Sequence, residues 1–167
     1  AWCERLAAQG ITRGRAFGWL GLNSVATIAA LFACAKLHAR FVPLNWRLAA
    51  PELRAIAAHA ALAAWHADNG FDALDGLVLS NEISPDDDLL LVYTSGTTGE
   101  AKGALHTPAA MVANIDAAID AQGFDAQTRT LAVLPLFHVG GLCIQVLPTL
   151  AGGGTVRLQP RFDAAAW

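Results

Sequence analysis

The residues of this chain best suited to chemistry are gathered in one segment, Tyr93-Thr-Ser-Gly-Thr-Thr-Gly-Glu-Ala-Lys-Gly103. Within eleven residues it holds four Ser or Thr hydroxyls (Thr94, Ser95, Thr97, Thr98), three glycines and one lysine. Gly96 and Gly99 tolerate left-handed backbone, so successive amides can converge on one anion. The hydroxyls add uncharged donors, and Lys102 adds a mobile positive charge. Each hydrogen bond to a charged group contributes about 1.5–3 kcal/mol net, so three or four such donors can hold a polyphosphate without a basic patch. An ordinary polar turn is the competing reading, but such turns rarely set so many donors beside a lysine. The segment is not a Walker A loop. Ala101 rather than Gly precedes Lys102, Gly103 rather than Ser or Thr follows it, and the next residues read as a strand instead of a phosphate-cradling helix.

A phosphate loop needs rigid elements behind it. Leu89-Leu-Leu-Val-Tyr93 is a continuous apolar run of strand length, the pattern of a strand buried on both faces. Residues 103–106 read as a short strand leaving the loop. Thr107-Pro108 then opens a helix with a hydroxyl cap and proline at the first position; Val112, Ile115 and Ile119 form its buried stripe, and Gly123 stops it. Upstream, Asn23 or Ser24 can cap a helix whose Val25, Ile28, Phe32 and Ala35 fall at helical spacing and which ends near His38. Residues 40–44 follow as a strand. A second helix opens at Pro51 and Glu52, and its alanine-rich interior leaves open whether residues 62–66 continue it or form the next strand. Downstream come a strand at 130–134, a helix at 141–150 interrupted by Pro148, and a strand at 155–158. Repeated strand–helix alternation predicts an α/β fold of layered sheets with flanking helices.

Composition narrows the function classes. Hydrophobic residues make up 54% and charged residues 15%, against about 25% charged in an average soluble domain, which excludes a disordered segment. Thirty-five of the 167 residues are alanine, so much of the apolar fraction is small. The longest apolar run, residues 25–35, is interrupted by Thr27 and closed by Lys36, well short of the roughly 20 residues a spanning helix needs. No transmembrane segment and no signal peptide is expected. A net charge of −3 without a basic cluster excludes the footprint of a nucleic-acid binder. Cys3, Cys34 and Cys143 are odd in number and widely spaced, as expected for buried, reduced thiols of a cytoplasmic protein. His38, His59, His66 and His106 lack partners at metal-ligand spacing and read as structural or solvent-facing, and Asp86-Asp-Asp88 reads as a solvated acidic turn, so no metal ligand is assigned.

Thr94-Ser-Gly-Thr-Thr-Gly-Glu-Ala-Lys-Gly103 resembles the phosphate loop of the adenylate-forming, or AMP-binding, superfamily, whose pattern is Ser/Thr-Ser/Thr-Gly-Ser/Thr-Thr-Gly-x-Pro-Lys-Gly. It matches everywhere but Ala101, where proline is usual. Val42-Pro-Leu-Asn-Trp-Arg-Leu-Ala-Ala-Pro-Glu-Leu53 and Leu134-Pro-Leu-Phe-His-Val-Gly-Gly-Leu142 are similar to two further stretches of these enzymes, in the same order. The second resembles the form found in acyl- or aryl-CoA synthetases more than that of peptide-synthetase modules. His38 stands where the family usually has glycine, and histidine tolerates the left-handed region better than most side chains.

The resemblance implies a two-step reaction. A carboxylate attacks the α-phosphate of ATP to give an acyl-adenylate and pyrophosphate, and the thiol of CoA then displaces AMP. Thr94, Ser95, Gly96, Thr97, Thr98, Gly99 and Lys102 would bind the ATP phosphates, with Lys102 and His138 catalytic. Phe137, His138 and Gly140 would shape the pocket of a carboxylic, foremost a fatty, acid; without the resemblance, His138 reads as a satisfied histidine in a strand-to-helix turn. Mg²⁺ would bridge the phosphates. Residues 1–167 would be part of the large N-terminal domain, 1–85 its first sheet–helix region and 86–167 the phosphate loop with a second one. The later Tyr-Gly-x-Thr-Glu segment, the hinge and the C-terminal domain are not recognised. The 167 residues alone are therefore expected not to adenylate an acid and to expose apolar patches. A non-catalytic phosphate-binding module of the same ancestry is the alternative.

Overall fold

Short apolar runs become parallel strands here because helices carry the chain back between them. The strands β1 (Ala16–Leu20) and β2 (Arg40–Leu44) are joined by helix α2 (Val25–Lys36), and β2 and β3 (Leu62–Ala67) by α3 (Ala50–His59). The computed structural model describes residues 1–68, 70–82, 84, 87–94 and 101–164. They fall into two units, Ala1–Gly21 with Ala26–Pro108, and Leu22–Val25 with Ala109–Trp167.

The first unit holds α1 (Trp2–Ala8) and a five-stranded sheet in the order β3-β1-β2-β4-β5, where β4 is Leu90–Thr94 and β5 is Lys102–His106. The first four strands run parallel, and β5 returns antiparallel to β4. All of β1 and nearly all of β2 are buried, as expected of parallel strands covered on both faces. Helix α3 lays Leu53, Ile56 and Ala57 on Ala16, Leu20, Val42, Leu44, Leu62 and Leu91. Glu52 accepts the Ala49 N–H at 2.9 Å, which fixes the start of that helix. Residues 62–67 form β3, the strand alternative. The chain leaves α3 through Ala61 at φ 53°, with no glycine or asparagine to mark the stop. His38 is left-handed, at φ 52°, where α2 gives way to β2.

Three expectations are corrected in this unit. The α2 stripe is not Val25, Ile28, Phe32 and Ala35: Thr27, Ala30, Leu31, Ala33 and Cys34 are buried, while Val25 and Phe32 are 75% and 51% exposed. A helix apolar on almost every side has no unique stripe, and the small face permits the closest approach to its neighbours. Asp88 does not lie in a solvated turn; it is buried and pairs with Arg40 at 2.9 Å. Asp87 is the solvated member, 2.7 Å from Arg13, and Asp86 lies outside the described residues. The strand before the loop starts at Leu90, with Leu90 to Val92 buried, Tyr93 half-buried and Thr94 exposed.

The second unit holds α4 (Pro108–Gln122, its first residue assigned to the first unit), β6 (Arg129–Ala132), a π-helical turn (Gly140–Val146), α5 (Leu147–Ala151) and β7 (Thr155–Leu158). Strands β6 and β7 form a parallel pair. Gly123, at φ 67°, follows α4 as expected. Its buried residue is Met111 rather than Val112, which is 56% exposed. The expected helix at 141–150 is two elements, with Pro148 inside the first turn of α5, where its missing N–H is harmless. Among the described residues no helix is long and apolar enough to cross a membrane.

Candidate active site

In open sheets with parallel strands, ligands gather at the carboxyl ends of the strands. The carboxyl end of β4 is Thr94, where the hydroxyl-rich loop begins. Across the hairpin Thr94 pairs with Lys102, Tyr93 with Gly103 and Val92 with Ala104. Thr94 and Lys102, eight residues apart in sequence, thus form one mouth, and the Thr94 hydroxyl lies 3.5 Å from the Lys102 carbonyl oxygen. Both side chains are exposed. Ser95, Gly96, Thr97, Thr98 and Gly99 lie outside the described residues.

Glycine at 103 has a packing reason. A Cβ there would sit 2.8 Å from Leu91 Cδ1 and 3.4 Å from two atoms of the Tyr93 ring. The Tyr93 hydroxyl lies 2.7 Å from His59 Nδ1, and burial pushes its pKa up to about 12 against the opposing pull of Arg40. Tyr93 therefore stays a neutral phenol at physiological pH. Spacing gave no hint of this contact, since His59 and Tyr93 are 34 residues apart.

The second cluster is the turn carrying Phe137, His138 and Gly140. His138 Nδ1 accepts the Gly140 N–H at 3.0 Å. A neutral imidazole held that way carries its proton on Nε2 and presents it as a donor. A Cβ on Gly140 would come within 3.2 Å of Nδ1, and one on Gly141 within 2.5 Å of the Pro135 carbonyl oxygen. The π-helical turn starts here, a geometry that often marks functional sites.

Asn23, considered above as a helix cap, instead braces this turn. Its Oδ1 accepts the Leu136 N–H at 2.8 Å, and its Nδ2 donates to the Leu134 and Gln159 carbonyls at 3.0 Å each. Among the described residues no group of three His, Cys, Asp or Glu side chains could hold a metal ion.

A hydroxyl-rich segment bounded by Thr94 and Lys102 thus follows the carboxyl end of a parallel strand. The chain belongs to the AMP-binding enzyme family, whose description matches residues 3–74 and 62–167. It is 38% identical to indoleacetate–CoA ligase of Aromatoleum aromaticum over 98% of its own length and 39% of that enzyme. It is 36% identical to a feruloyl-CoA synthase of Amycolatopsis over 96% of its length and 37% of that enzyme. Among solved structures it resembles o-succinylbenzoate CoA synthetase of Bacillus subtilis in complex with its acyl-adenylate intermediate, with a TM-score of 0.85 and 26% identity over 99% of this chain and 48% of that one. The chain thus spans about two fifths of the curated relatives it matches.

Proposed function

We propose that these 167 residues form part of the large N-terminal domain of an ATP-dependent acid–thiol ligase, which activates a carboxylic acid as acyl-AMP and transfers the acyl group to CoA. The observation that carries this is the β4–β5 hairpin, which sets Thr94 opposite Lys102 at the two ends of the hydroxyl-rich loop. Strands β4 and β5, which flank that segment, belong to the first sheet, so the domain's second sheet–helix region opens after Pro108 rather than at residue 86.

In the first step a carboxylate oxygen bonds to the α-phosphorus, and the α–β bridging P–O bond breaks with its electron pair going to pyrophosphate. Negative charge builds on the leaving group, so donors already aimed there lower the barrier. Lys102, the hydroxyls of Thr94, Ser95, Thr97 and Thr98, and the backbone amides of Gly96 and Gly99 take that role. Nε2–H of His138 donates to the acid's carboxylate, while Phe137 and Gly140 shape the wall beside it. Mg²⁺ would accompany such a polyphosphate and offset part of its charge, and no ligand for it is assigned in this chain.

The names of the relatives point to indoleacetate and ferulate, both aromatic acids, so aromatic acids stand beside fatty acids as substrate candidates. The test is ATP–pyrophosphate exchange by the complete gene product with indole-3-acetate, ferulate, o-succinylbenzoate and fatty acids of graded length. Exchange with at least one acid, and its conversion to a CoA thioester, is expected. A protein that binds ATP yet exchanges pyrophosphate with none of them would be a phosphate-binding module instead.

A further inference from the structure

Among the described residues strand β5, which presents Lys102, is paired on one side only. It is the outermost strand of the sheet, and its residues are exposed apart from the half-buried His106. Its backbone ladder to β4 fixes the register but leaves the face of the ribbon to be backed by side chains. Two do so at Gly103: Leu91 and the ring of Tyr93, both within 3.4 Å of where a Cβ would stand. The ring is itself tied down. Its hydroxyl lies 2.7 Å from Nδ1 of His59, the last residue of α3, and the two rings meet edge to face with centroids 5.7 Å apart. Helix α3 is anchored in the core through Leu53, Ile56 and Ala57. A continuous set of contacts therefore runs from a packed helix through one imidazole and one phenol to the residue next to Lys102.

We infer that His59 is a positioning residue for the phosphate-binding mouth: by holding the Tyr93 hydroxyl it keeps the ring over Gly103 and so fixes where β5 presents Lys102 opposite Thr94. This rests on the reading of the hairpin as the ATP phosphate site. His59 touches no reacting atom in this role. It is exposed, so water can replace it as the partner of the phenol; the loss is one of position rather than of a buried bond. The ring would then be free to swing, and the strand beside Lys102 would lose part of its backing.

The test uses the complete gene product and compares His59→Ala, Tyr93→Phe, the double variant, His59→Gln and Lys102→Ala in ATP–pyrophosphate exchange. Loss of one hydrogen bond of ordinary strength corresponds to about a fivefold effect. His59→Ala and Tyr93→Phe are each expected to raise the KM for ATP about fivefold, with the KM for the acid changing less than about twofold. The double variant should be no worse than either single one, because both break the same contact. His59→Gln, which can still reach the hydroxyl, should recover part of the ATP affinity.

Additive single effects, or a parallel rise in both KM values together with a lower thermal midpoint, would show that His59 merely stabilises the fold. If Lys102→Ala raises the KM for ATP or slows exchange while His59→Ala changes nothing, the positioning role fails and the phosphate site stands. If both variants are silent, the phosphate site itself is wrong and the positioning role falls with it.

Discussion

Of the chain's two lysines, Lys36 and Lys102, only Lys102 lies among clustered hydroxyls at the end of a parallel strand. Its charge is therefore expected to matter most when charge develops, in the transition state for pyrophosphate departure. Lys102→Ala should lower the exchange rate roughly 10- to 100-fold, the range of one lost charged hydrogen bond, while the KM for the acid stays within about threefold. An unchanged exchange rate would remove Lys102 from the site. Asn23 makes a different kind of residue-scale argument, one of stability. It is 7% exposed, and its side chain makes three hydrogen bonds, to partners 111, 113 and 136 residues away. Asn23→Ala leaves the Leu136 amide with no bond to that side chain and should lower the unfolding free energy by about 1–3 kcal/mol in urea titrations. Local pattern suggested only a helix cap there, because nothing in the neighbouring residues reports partners so distant in sequence.

At the scale of elements, strands were more legible than helix faces, for a physical reason. A strand such as 40–44 is a short apolar run between turn signals and needs no further information. Helix α2 is apolar on nearly every side, so its period could not choose between Phe32, now exposed, and Ala30, now buried. The end of α3 escaped notice because Ala61 takes the left-handed place that glycine usually fills. The β4–β5 hairpin was legible as two strands flanking the hydroxyl-rich segment, but the contact of Tyr93 with His59 was not. The turn around His138 offers a sharp contrast between adjacent glycines. A Cβ on Gly141 meets the carbonyl oxygens of Pro135 and Leu134 at 2.5 and 2.8 Å, backbone atoms that cannot rotate away. Gly141→Ala should thus destabilise the protein by about 1–3 kcal/mol. A Cβ on Gly140 instead meets first the His138 ring, at 3.2 Å, and then a leucine methyl at 3.9 Å. Gly140→Ala should leave the urea midpoint close to wild type and raise the KM for the acid, since the imidazole must shift to admit the methyl. Equal loss of stability in the two variants would contradict the contact geometry.

At the scale of the molecule, buried thiols and a half-buried phenol tie stability to alkaline pH. The chain has one tyrosine and three cysteines. Burial pushes Cys34 up to about 12, with Cys3 adding to the shift, and Cys143 up to about 11. Burial also holds Tyr93 at about 12. In the unfolded chain these groups ionise near their ordinary values, 9.0 for the thiols and 10.0 for the phenol. All three folded values are raised, so the folded state binds more protons between the two limits. Stability is full below about pH 9 and falls as pH rises toward 12. A single thiol steepens that fall by at most about 1.4 kcal/mol per pH unit. Cys34 is the most buried of the three, at 0% exposure, and Cys34→Ala removes its proton from the balance. The variant should lose some stability at pH 7 to the smaller side chain, yet show a shallower decline in urea midpoint from pH 9 to 11 than the parent. The comparison is one of slopes, so the packing loss cancels. A slope as steep as that of the parent would mean that the Cys34 thiol ionises in the folded protein as readily as in the unfolded chain, and that its burial does not exclude the charge.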